Sequence, residues 1–100
     1  MAGYPAHENA AKILENLKAA LAKAGGDTGE KINEIISKLD PIKNNRTFMR
    51  TQKAEQVTEE CLAESEKLLN NPEDAQALEK INNSVDFLVE KVRTMVIRMT

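Results

Sequence analysis

Residues 71–100 read NPEDAQALEKINNSVDFLVEKVRTMVIRMT, and this stretch decides the fold. Leu78, Ile81, Val85, Leu88, Val92, Met95 and Met99 recur at alternating spacings of three and four, uninterrupted by Pro or Gly. That is the a/d seam of a coiled-coil-like heptad, and it predicts one long amphipathic helix. Asn71 suits the N-cap and Pro72 the first helical position. Glu73 and Asp74 then set negative charge against the positive end of the helix dipole.

Working back along the chain, Asn70 and Asn71 form a tight turn from a third helix. Thr47 is its expected N-cap and Leu69 its approximate end; a start at Pro41, capped by Asp40, is the alternative. The apolar stripe of this helix is thin: Met49, Ala54, Val57, Cys61 and Leu68, with Phe48, Leu62 and Leu69 to one side. Ile42 to Arg46 reads as a connector with Asn44 and Asn45 as turn formers. A short second helix runs from a capping box at Asp27 and Glu30 to Leu39, buries Ile32, Ile35, Ile36 and Leu39, and stops at Asp40-Pro41. The first helix spans Ala6 to Ala24, with Ala10, Ile13, Leu14, Leu17, Leu21 and Ala24 on one stripe and Gly25-Gly26 as its stop.

One hundred residues, 41% apolar and 30% charged, suit a single domain with a modest core. Ala, Leu, Glu, Lys, Asn and Gln dominate, while aromatics are scarce, so the chain reads as all-α. Short connections make sequential helices antiparallel neighbours. The expected fold over residues 1–100 is an up-down-up-down four-helix bundle with a short second helix and a long C-terminal helix. A three-helix core with the short helix packed across it is the variant.

The formal charge of −2 supplies no global field for nucleic acid or an anionic membrane. No apolar run reaches the ~20 residues of a membrane span, and no basic-then-apolar leader precedes Pro5. A cytoplasmic location is the expectation.

Chemistry is hard to assemble from these residues. Gly25-Gly26-Asp27-Thr28-Gly29-Glu30-Lys31 has the outline of a phosphate loop but lacks Gly-Lys-Ser/Thr and follows no strand. His7, the only histidine, reads as solvent-exposed on the first helical turn. A haem axially held by His7 and Met95 or Met99 would lack both an aromatic pocket and an attachment motif. Cys61 lies on an apolar stripe with nothing to activate a thiolate. No enzyme activity, cofactor or metal is expected.

The signal that remains is a surface. Glu55, Glu59, Glu60, Glu64, Glu66, Glu73, Asp74 and Glu79 meet a single base, Lys67, whereas Lys38, Lys43, Arg46, Arg50 and Lys53 meet only Asp40. Met95, Val96, Ile97 and Met99 crowd the last turns beside Arg93 and Arg98. A second helix of about 18 Å cannot cover a final one of about 42 Å, so apolar surface is left over there. Methionine suits an adaptable contact. The expected function is a non-catalytic protein-interaction module, adaptor or chaperone-like. It would bind a helical partner through Phe48, Met49, Arg93, Met95, Val96, Arg98 and Met99, with homo-oligomerisation as a second route. Weak nucleic-acid binding through the 38–53 basic patch is a third, opposed by the adjacent acidic block.

The turn Asn71-Pro72, followed by Leu78, Ile81 and Asn82 on an apolar helix reaching the terminus, resembles the helical hairpin subunits of bacterial type III secretion needles. The likeness covers the last 30 or so residues; the extra N-terminal helix pair departs from that family. The resemblance implies a secreted subunit that polymerises.

Overall fold

A computed structural model describes residues 4–99, with side chains as far as Met95. Four helices form, α1 (Pro5–Lys23), α2 (Gly26–Leu39), α3 (Gln52–Asn70) and α4 (Ala75–Met99), and no strand occurs among the described residues. The fold is the expected all-α four-helix bundle.

Three helix starts differ from the sequence reading, two of them because a nearer side chain takes the capping role. α4 is capped by Asp74, whose Oδ1 accepts from the Ala77 amide at 3.1 Å. Asn71 instead closes the preceding turn, its Oδ1 accepting from the Glu73 amide and its carbonyl from the Asp74 amide. α3 is capped by Thr51, whose Oγ1 accepts from the Ala54 amide at 3.2 Å, not by Thr47 or Asp40. α2 has no side-chain cap at Asp27; its N-cap is Gly25, and Gly26 enters the helix at φ +58°, a conformation that suits glycine. Pro41 does not force Asp40 out of helical torsions (φ −54°, ψ −45°). The chain tightens there into a 3₁₀ turn over Asp40–Ile42.

Lateral order also departs from the simple expectation. The extensive helix contacts are α1 with α2, α1 with α3, α3 with α4, and α2 with α4. Round the bundle the sequence is therefore α1, α2, α4, α3, and the 40–51 connector crosses the end of the molecule to join α2 to α3. Directions still alternate along the chain. Asn9 bonds Thr58 and Asn16 bonds Ser65, a constant offset that makes α1 and α3 parallel. Thr28 to Glu73 and Lys38 to Asn82 do the same for α2 and α4.

The connector is held by one side chain. Asn45 Oδ1 accepts from the Thr47 amide and hydroxyl and from the Met49 amide. Its carbonyl accepts from His7 Nε2 at 2.7 Å, so His7 is half-buried and engaged, not free in solvent. With the connector anchored, a 3₁₀ turn over Phe48–Arg50 sets Phe48 and Met49 into the end of the core.

The core runs through Ile13, Leu17, Ile32, Ile35, Leu39, Met49, Leu68, Ile81, Val85 and Leu88, all fully buried. The buried stripe of α3 is Ala54, Thr58, Cys61, Ser65 and Leu68, with Val57 displaced to its margin. Thr58 and Ser65 hide there because each hydroxyl donates to its own helix backbone and accepts from an α1 asparagine. No buried side-chain polar atom lacks a partner among the described residues.

Candidate protein-docking groove

The crossover leaves α4 longer than its supports. Lys53, in the first turn of α3, and Lys91 of α4 both stand over the Phe87 ring, so the α3 start lies level with that turn of α4. From Arg93 to Met99 the α4 backbone continues past it, about 10 Å at ~1.5 Å per residue.

At this junction lies a groove of about 450 Å³ lined by Phe48, Lys53, Phe87, Lys91, Thr94 and Met95. Phe48 and Phe87 form its base, edge to face, with centroids 6.0 Å apart and rings at 72°. Phe87 and Met95 are half-buried and pack on the core margin; Val92 between them is buried. The Lys91 ammonium is 5.5 Å and the Lys53 ammonium 5.9 Å from the Phe87 centroid. Thr94 Oγ1 donates to the Glu90 carbonyl, so its hydroxyl proton is satisfied within α4.

Of the residues expected at a partner surface, Phe48 and Met95 line this groove. Met49 does not: it is fully buried and supports the end of the core from beneath. Its place on the apolar stripe holds and its use as a contact does not: in the 3₁₀ turn it is buried with Phe48. Arg93 is exposed and its guanidinium meets Glu90 at 2.6 Å. The side chains of Val96, Arg98 and Met99 lie outside the described residues. Phe87, Lys91 and Thr94 have no counterpart in the sequence reading, and Lys53 enters it only as a member of the 38–53 basic patch. Phe87 sits one position off the a/d seam, and its pairing with Phe48 depends on a crossover that periodicity does not encode.

The basic patch is divided among local partners. Lys38 Nζ is 2.9 Å from Asp86 and 3.1 Å from Asn82. Lys43 Nζ is 3.0 Å from Asp40, and that hydrogen bond and charge hold the Asp40 carboxyl below its ordinary pKa. The Arg50 guanidinium stacks 4.5 Å from the Tyr4 centroid.

Two other concavities are charged. One of about 470 Å³ lies between α2 and α4 with Lys31, Glu34 and Glu79 on its walls; the other, about 440 Å³, has Glu60, Glu64 and Lys80. The Cys61 thiol is buried, and that burial, with a smaller push from Glu64, raises its pKa from 9.0 to about 12. It stays a neutral thiol at physiological pH. No group of three or more His, Cys, Asp or Glu side chains capable of holding a metal ion occurs among the described residues. Nor is any described helix long and apolar enough to cross a membrane.

Comparison with known proteins returns no relative: no family model, no curated protein and no solved structure matches this chain.

Proposed function

We propose that this chain is a non-catalytic protein-interaction module, an adaptor or chaperone-like bundle. It takes a helical partner at the end of the molecule where α4 outruns α3. The observation that carries the reading is the groove itself. A half-buried aromatic and, two turns further along α4, a half-buried methionine line one groove at the rim of the core, and helices commonly dock an apolar face into such a groove. The neutral, buried Cys61 and the hydrogen-bonded His7 lend no support to catalysis.

The test uses the full chain as bait beside Met95→Asp. The native chain should retain a partner, or a second copy of itself, that the variant loses while its helical circular dichroism persists. Retention of the same partner by Met95→Asp would count against this site. Light scattering during size-exclusion chromatography, run at several concentrations, separates self-assembly from binding of another protein.

A further inference from the structure

We infer that the occupant of the Phe48–Phe87–Met95 groove is an acidic amphipathic helix of another protein. An apolar side chain would be seated on the rings and carboxylates would reach Lys53 and Lys91. This rests on reading the groove as a docking surface and adds the chemistry of what docks.

The charge argument comes from where Lys53 and Lys91 stand. Lys38, Lys43 and Lys67 each hold a carboxylate within 3.2 Å, while Lys12, Lys18, Lys23, Lys31 and Lys80 make no ion pair among the described residues. Lys53 and Lys91 are exposed, and among the described residues neither has an ion-pair partner. Both ammoniums instead share one aromatic ring within 6 Å of its centroid. The adjacent carboxylate, Glu90, is already taken by Arg93 and Thr94. Two ammoniums therefore flank one ring, and an incoming carboxylate can pair with either while the ring keeps its cation–π contact.

The apolar base selects among anions. A free phosphate has no use for Phe48 and Met95. A nucleic-acid base needs an open aromatic face, whereas Phe87 carries two ammoniums over its ring and is packed edge to face with Phe48. A second copy offering its most acidic face, that of α3, would expose between Glu59 and Glu66 only Ala63 as an apolar side chain, with Leu62 half-buried. A groove of about 450 Å³ calls for a larger anchor.

The experiment titrates isotope-labelled full chain with an alanine-based helical peptide carrying two leucines one turn apart, each flanked by glutamates. A lysine-flanked copy, a copy with both leucines replaced by alanine, and oligothymidylate serve as competitors. The expected result is amide shifts centred on Phe87, Lys91 and Met95. Binding should weaken about tenfold or more for the lysine-flanked and leucine-free copies. The double variant Lys53→Glu/Lys91→Glu, altered only at exposed positions, should reverse the preference between the two charged peptides.

Equal affinity for both charged peptides at the groove would overturn the inference and leave the docking surface standing. No groove shift with any peptide would overturn both. Displacement of the acidic peptide by oligothymidylate, or by unlabelled chain, would assign the groove to nucleic acid or to self-association and overturn the inference.

Discussion

The bundle has two parallel seams, α1 with α3 and α2 with α4, and they are built from different residues. The first is richer in small and polar residues: α1 buries Ala6, Ala10 and Ala20 beside Ile13, Leu14 and Leu17, and α3 buries Ala54, Thr58, Cys61 and Ser65 beside Leu68, with Asn9 and Asn16 bridging across. The second is aliphatic: Ile32, Ile35 and Leu39 on α2 meet an α4 that buries Leu78, Ile81, Val85 and Leu88, with Lys38 tying the rim to Asp86. Small side chains let two helices approach closely and leave hydroxyls and amides to set their register. Large aliphatics fill a wider gap and leave register to shape. The more extensive contact is the small-residue one, although the aliphatic seam carries most of the obvious hydrophobicity.

Truncation on the aliphatic side should be the most damaging change. Ile81→Ala removes a fully buried side chain from α4 and is expected to cost about 2–5 kcal/mol in urea denaturation. The small-residue seam should fail in the opposite sense, by crowding. Cys61→Leu inserts volume where α1 and α3 approach and is expected to cost about 1–3 kcal/mol by the same assay. A gain in stability would mean that the seam holds spare room.

The buried thiol adds a pH signature to this side alone. Its folded pKa of about 12 lies above the ordinary value of 9.0. Its contribution is therefore fully present below pH 9 and is lost as pH rises toward 12. The slope is at most about 1.4 kcal/mol per pH unit, and Cys61→Ala should flatten it.

The polar bridges come next. Asn16→Ala leaves Ser65 bonded to its own backbone and should cost about 1 kcal/mol; a double-mutant cycle with Ser65→Ala would isolate the coupling. Last, Lys38→Ala breaks a pair whose side chains are 32% and 52% exposed, so about 0–1 kcal/mol is expected.

The same contrast explains what could be read without coordinates. α4 and its aliphatic seam were legible because Leu78, Ile81, Val85 and Leu88 repeat with the period that burial imposes. The stripe of α3 was not. Thr58 and Ser65 count as polar in any hydrophobic pattern, and they are buried only because Asn9 and Asn16 arrive from a helix some fifty residues away. The start of α3 differs for a related reason: Asn45 and Thr51 hold a 3₁₀ turn that no apolar period marks. Of the groove, the sequence yielded Phe48 and Met95. Phe87 and Lys91 share a face of α4 with Met95 at i, i+4 and i+8, a spacing masked by the stronger a/d seam beside it; Phe48 and Lys53 reach that face through the lateral order of the helices, in which α3 and α4 are neighbours and the connector crosses above.

A closed seam and an open groove share α4, and the distinction between them rests on Met95 serving contact more than stability. The most direct measurement is urea unfolding of Met95→Asp beside Ile81→Ala, followed by circular dichroism. The expected result is a loss for Met95→Asp well under half that of Ile81→Ala, with native helicity retained. Unfolding of Met95→Asp as severe as that of Ile81→Ala would place this turn of α4 in the core and remove the docking groove.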